Sequence, residues 1–168
     1  YPGKNLGAYG DAGAIVTNDD ALAERCRMYA NHGALVKHQH RMEGINSRLD
    51  GLQAALLTCK LRHLADWTRA RQQVARQYDA LLAGIPQLTL PKLRDGSTHV
   101  YHLYVIQGAD RDALKAHLAA QGIETAIHYP TALPLLPAYA HLGMKASDIP
   151  RASANLGHVN LLPAAGAN

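Results

Sequence analysis

The sequence predicts an α/β protein. Three observations carry this. A short β-branched run at residues 12–17 leads straight into a helical pattern, two long helical patterns follow one another across residues 49–82, and residues 100–129 alternate strand, capped helix and strand. A composition break near Asp66 separates a glycine-rich front, residues 1–65, from a rear, residues 66–168, so two structural bodies are expected.

Residues 12–17 combine small and β-branched side chains. Gly10, Gly13 and the run Asn18-Asp19-Asp20 bound them, as in a short strand ending at a helix N-cap. The helix is expected to reach about Asn31, because Leu22, Cys26 and Tyr29 recur on one face and Gly33 supplies a left-handed stop. Residues 34–45 show neither periodicity and read as a loop. Residues 49–64 place Leu52, Leu56 and Cys59 beside Leu57, Leu61 and Leu64. That stripe is too wide for a solvent-facing helix, so burial on two sides is expected. The next helix, residues 66–82, carries Trp67, Ala70, Val74, Tyr78 and Leu81 on one stripe and Arg69, Arg71, Gln73 and Arg76 elsewhere, as a surface helix does.

Pro86 and Pro91 bracket an unpatterned stretch. Residues 99–106 alternate and are rich in Val, Tyr and Ile, which predicts a strand. Asp110 then caps a helix that stops at Gly122, and residues 123–129 read as a second strand that completes a β-α-β unit. Pro130, Pro134 and Pro137 stiffen the following loop and argue against helix there.

With 168 residues the chain is long enough to bury a core. Nearly half the residues are hydrophobic, yet no uninterrupted apolar run of about 18 residues exists, so a soluble protein with no membrane partner is expected. Cys26 and Cys59 fall inside helical patterns rather than a spaced framework, which predicts reduced, packing cysteines and a cytoplasmic setting. A net charge of +4 raises two partner classes, nucleic acid and phosphate-bearing small molecules. Nucleic acid is the weaker: Trp67 and Tyr78 face the apolar stripe of the arginine-rich helix, whereas a stacking platform needs exposed rings. His32, His38 and His40 have no carboxylate or cysteine at ligand spacing and read as loop histidines rather than a metal site.

The stretch Pro2-Gly3-Lys4-Asn5-Leu6-Gly7-Ala8-Tyr9-Gly10-Asp11-Ala12-Gly13-Ala14-Ile15-Val16-Thr17 resembles the cofactor-lysine segment of the DegT/DnrJ/EryC1/StrS aminotransferases. These are fold-type I enzymes that use pyridoxal 5'-phosphate (PLP) on nucleotide-linked keto-sugars. The resemblance continues through Gly44-Ile45-Asn46-Ser47-Arg48-Leu49-Asp50 and Leu52-Gln53-Ala54-Ala55, and returns at Gly122-Ile123 and His128-Tyr129-Pro130, in the family's order. It implies that residues 1–65 are the C-terminal part, a remnant, of a large PLP-binding domain, and that residues 66–168 are a small C-terminal α/β domain. In the family a front half precedes the lysine loop and supplies the acidic partner of the pyridine nitrogen, the ring-stacking residue and most phosphate ligands. Leu161-Leu162-Pro163 resembles the start of the family's closing segment, which Ala164 to Asn168 does not complete. The expectation is therefore a C-terminal portion, clipped at both ends.

A lysine in a glycine-rich loop is ordinarily a solvated charge, and it is the flanking pattern that singles out Lys4. The resemblance implies that Lys4 holds PLP as a Schiff base and then moves the proton between the cofactor's C4′ and the substrate carbon. Such a role needs an amine that can be neutral, since only the free base attacks an aldehyde. Glycines 3, 7 and 10 would let the backbone approach a flat cofactor. Relatives with His at this position act as dehydratases, so a lysine favours transamination.

Asn46 and Arg48 have two readings from their position alone, as N-terminal features of the following helix or as ligands. The resemblance places both at the cofactor phosphate, reaching from the opposite subunit, a role that suits an amide and a guanidinium near a helix N-terminus. His128 and Tyr129 precede a proline at an expected strand end, where a histidine satisfied by backbone is the plain alternative. In relatives the matching His-Tyr-Pro lies at the sugar-binding mouth.

The activity implied is transfer of an amino group, from L-glutamate, onto a nucleotide-linked keto-sugar in amino-sugar, polysaccharide or natural-product biosynthesis. The wording of the lysine loop resembles most the members acting at a 3-keto position, with 4-keto and aminohydroxybenzoate-type members left open. A homodimer with a shared active site is expected. The competing reading is a non-catalytic fragment or dimerisation module: one lysine cannot fix the cofactor's nitrogen, ring and phosphate together, so the 168 residues alone are expected to be inactive. Exposed apolar helix faces would then be covered by another chain.

Overall fold

The computed structural model describes residues 4–156 and 159–162. Pro2 and Gly3 of the lysine segment, and Pro163 with Ala164 to Asn168 of the closing segment, lie outside the described residues. The chain forms two compact units, Tyr1–Ala65 and Asp66–Asn168.

The front unit holds α1 (Asp20–Ala30), β1 (Ala34–Val36), β2 (Gln39–His40) and α2 (Gly51–Leu61). Asp19 caps α1 by accepting from the Leu22 amide, and the Gly33 amide closes the other end on the Met28 carbonyl at 2.7 Å. Gly33 has φ +81°, and a Cβ there would lie 1.6 Å from the Met42 carbonyl oxygen, so neither the backbone nor the space admits a side chain. The strand expected at residues 12–17 is not formed. A β-branched run becomes a strand only beside a partner, and no described segment pairs with it. Conversely, the loop expected at residues 34–45 contains a hairpin: β1 and β2 pair antiparallel across a turn in which His38 is left-handed. The loop histidines thus serve the turns, with His32 also left-handed and the His40 ring bonded to the His32 carbonyl at 2.8 Å.

Burial in this unit is slight. Met28 and Ala34 are the buried hydrophobics among its described residues. Helix α2 forms as patterned but buries nothing, with Leu52 76% and Leu61 57% exposed. The two-sided burial expected for it is not realised, because the described residues supply no second layer against its apolar stripe.

The rear unit is built on α3 (Leu64–Leu82), β3 (Leu88–Thr89), β4 (Tyr104–Gly108), α4 (Arg111–Ala120), α5 (Pro150–Leu156) and β5 (Val159–Leu162). Its sheet is antiparallel in the order β3-β4-β5, with Leu88 opposite Gly108 and Tyr104 opposite Leu162. The expected β-α-β unit is therefore corrected. Both edges of β4 are taken by β3 and β5, so residues 123–129 have no place beside it and form no strand, only a lone bridge at Ala126. The expected strand start at residue 99 also moves to Tyr104. Residues 99–101 are instead held by α3, through Gln72 donating to the His99 carbonyl and Arg71 to the Tyr101 carbonyl. Asp110 caps α4 as patterned. The proline-rich loop contains two 3-10 turns, Leu133–Leu135 and Pro137–Leu142, since proline is well suited to the first turn of a helix even though it cannot sit inside one.

The core lies here. Strand β4 alternates, burying Tyr104, Ile106 and Gly108, and packs with Ala75 and Tyr101 against Tyr78, Leu82, Leu88, Leu114 and Leu118. Burying Ile106 and the Tyr104 ring contributes about 1.5–3 kcal/mol each. The Tyr104 hydroxyl donates to Asp79 at 2.6 Å, and its ring stacks on Tyr78 with centroids 5.0 Å apart. Burial, then the bond to Asp79, pushes this hydroxyl's pKa well above the usual tyrosine value. On α3 Ala75 is buried, with Tyr78 and Leu82 partly buried against the core; of the expected stripe Trp67, Val74 and Tyr78 are half-buried, whereas Leu81 is 77% exposed.

Candidate active site

Lys4 is exposed and opens a turn in which the Gly7 amide donates to its carbonyl at 2.8 Å. Gly7 takes φ +67°, a conformation natural to glycine. Two side chains of α2 hold the loop. The Gln53 carbonyl oxygen accepts from the Tyr9 amide at 3.0 Å, and Lys60 Nζ donates to the Gly7 carbonyl at 2.5 Å while standing 4.9 Å from the centroid of the Tyr9 ring. Gln53 and Lys60 are two turns apart and so share a face of α2. Gln53 falls within a stretch matched to the family, but neither residue stood out as functional in the sequence. Their seven-residue spacing was the available signal.

Asn46 and Arg48 are brought together: Arg48 Nε donates to Asn46 Oδ1 at 2.9 Å. Asn46 is fixed by a backbone bridge to Asn31, and the Ser47 amide donates to the Ala30 carbonyl at 2.9 Å. Neither caps α2 by a side-chain bond; Asp50 occupies the N-cap position. Arg48 also borders a cavity of about 670 Å³, with Arg27, Ser47 and Thr17 among its polar lining. No described contact joins either residue to Lys4.

In the rear unit, His128 is half-buried and its ring lies 4.9 Å from that of Tyr129, which is 67% exposed. His128 Nδ1 is buried without a hydrogen-bond partner among the described residues, as is Thr125 Oγ1. A buried orphan ring nitrogen is costly unless something binds it, so a histidine satisfied by backbone is not what the structure contains at Nδ1. Tyr129 borders an apolar cavity of about 600 Å³ with Pro130, Ala132, Leu133 and Leu136.

The model of the DegT/DnrJ/EryC1/StrS aminotransferase family matches residues 1–166. The chain belongs to this family. It is 48% identical over 163 residues to the erythromycin biosynthesis protein EryC1 of Saccharopolyspora erythraea, covering 97% of this chain and 44% of that protein. It is 45% identical to the dTDP-3-amino-3,4,6-trideoxy-alpha-D-glucose transaminase of Streptomyces venezuelae, covering 97% of this chain and 43% of the enzyme. The crystal structure of S. venezuelae DesV superposes with a TM-score of 0.95 at 45% identity, covering 97% of this chain and 44% of DesV. The chain thus spans less than half the length of these relatives, and its fold is a partial α/β fold of the PLP-aminotransferase type.

The family's cofactor is pyridoxal phosphate, and the related NtdA of Bacillus subtilis, with a TM-score of 0.81 and 30% identity, was solved with bound PMP. The donor set of this chain fits that group. Lys4 offers an exposed primary amine on a loop fixed from behind, and Arg48 has only its Nε engaged among the described contacts, leaving the guanidinium's outer edge for a phosphate.

Proposed function

We propose that this segment supplies the cofactor lysine and part of the phosphate site of a PLP-dependent aminotransferase acting on a nucleotide-linked 3-keto-sugar, with L-glutamate as amino donor. The observation that carries the reading is the Lys4 loop: an exposed lysine at the head of a glycine turn pinned to a helix. The family match and the transaminase of S. venezuelae, whose name carries a 3-amino sugar, support it.

PLP, when bound, supplies an aldehyde for covalent attachment and a ring that withdraws electrons from the reacting carbon. Lys4 is assigned both the attachment and the later proton transfer between C4′ and the substrate carbon, where its flexible four-carbon stem lets one amine serve both positions. Asn46 and Arg48 are assigned to the cofactor phosphate of the opposite subunit, which makes a homodimer with shared sites a condition of activity. His128 and Tyr129 are assigned to the sugar, with the orphan Nδ1 of His128 as the group a ligand hydroxyl would satisfy. We assign the protein to the cytoplasm; among the described residues no helix is long and apolar enough to cross a membrane.

A second reading, that the 168 residues alone are a non-catalytic fragment or dimerisation module, is favoured by the apolar surface of the front unit, where Val16 is 93% and Leu52 76% exposed. Adding PLP to the purified chain separates the two. A visible absorbance band that disappears in Lys4→Ala supports a competent lysine site, and no band in the unaltered chain supports the second reading.

A further inference from the structure

We infer that Gln53 and Lys60 are positioning residues for the cofactor lysine: together they clamp the Lys4 loop onto α2 so that the Lys4 amine is presented from a fixed backbone. This rests on the assignment of Lys4 above.

The loop is seated on α2 by polar contacts. Residues 5–8 and Gly10 are half-buried, Lys4 and Tyr9 are exposed, and the buried hydrophobics of the unit, Met28 and Ala34, are not part of it. Two of the contacts that fix it are polar and come from one helix face. Gln53 engages the Tyr9 amide, five residues after Lys4, and Lys60 engages the Gly7 carbonyl, three residues after it, while the Gly7 amide returns to Lys4 itself. Lys60 is half-buried, and its charge is matched by a carbonyl oxygen and the face of the Tyr9 ring. Gly7 fits the same purpose, since a Cβ there would lie 2.7 Å from Lys60 Nζ and displace it. A catalytic amine on a loose loop loses effective concentration at the reacting carbon, so seating the loop from behind serves the chemistry without touching it.

The test uses the full chain and two lysine-directed probes, formaldehyde with borohydride and PLP with borohydride, each followed by peptide mass mapping, together with amide hydrogen exchange. In the unaltered chain, Lys60 is expected to be methylated about tenfold more slowly than exposed Lys37 and Lys92, and PLP to label Lys4 ahead of both. Gly7→Ala should release Lys60 to the rate of Lys37. Gln53→Leu should speed Tyr9 amide exchange about tenfold, and Gln53→Leu or Lys60→Met should lower the preference for Lys4 about threefold to tenfold, with Gln53→Glu and Lys60→Arg restoring it. Methylation of Lys60 at the rate of Lys37 in the unaltered chain overturns the clamp without any variant. A clamp intact by methylation and exchange, with PLP labelling of Lys4 unmoved by either variant, overturns the positioning role. PLP labelling that never prefers Lys4, with Lys60 still protected, overturns instead the assignment of Lys4 on which the role rests.

Discussion

The two units of this chain are stabilised by opposite means. The rear unit closes around Tyr101, Tyr104, Ile106 and Ala75, a core in which even the polar atom of Tyr104 finds Asp79. The front unit buries little and is held by caps, glycine turns and side chains that reach backbone atoms, such as Asn31 to the Ala34 carbonyl and Lys60 to the Gly7 carbonyl. The unit to which we assign the cofactor lysine is thus the one whose conformation depends on individual polar contacts. A lysine that must both hold and release a partner is better served by a seated loop than by a packed core.

Substitutions that separate the two means of stabilisation test this contrast. The largest effect is expected in the rear: Tyr104→Ala removes a fully buried ring and should cost about 3–5 kcal/mol in denaturant melts, while the exchange protection of the front hairpin stays unchanged. In the front, Gly33→Ala forces a Cβ into the Met42 carbonyl at a left-handed position and should cost at least about 2 kcal/mol, read as lost amide protection at Ala34 and Arg41.

Alkaline titration comes next. The Tyr104 hydroxyl is raised above its unfolded value of 10.0, so its neutral form is favoured by folding. That contribution is complete below pH 10 and is lost as pH climbs from there towards the raised value. Stability should fall by about 1.4 kcal/mol between pH 9 and pH 11 from this group, and Tyr104→Phe should flatten that fall. The smallest effect is Asp19→Ala, which removes the cap from the Leu22 amide and should cost about 1 kcal/mol, measured as helix loss by circular dichroism.

Local signals were the legible part of the fold. The caps at Asp19 and Asp110, the stop at Gly33 and the helices across residues 51–61 and 64–82 follow from spacing and from residues that bond within a few positions of themselves. Pairing was not legible. Residues 12–17 and 123–129 have strand composition and form no strand, because a strand is decided by what lies beside it: the first has no strand paired with it among the described residues, and the second has no place beside β4, both of whose edges are taken. The hairpin at residues 34–40 was missed for the converse reason, its turn being made by His38 rather than glycine or asparagine. Of the candidate site, Lys4, Asn46, Arg48, His128 and Tyr129 were visible only through the resemblance. Gln53 and Lys60 were hidden because a supporting role appears only once the loop is seen lying on the helix.

The central claim is that Lys4 is the lysine that carries the cofactor, and peptide mapping of the borohydride-trapped PLP adduct tests it most directly. The account predicts that the label concentrates on the peptide holding Lys4 and is absent there in Lys4→Ala. Label spread over Lys37, Lys92 and Lys4 in equal measure would contradict it.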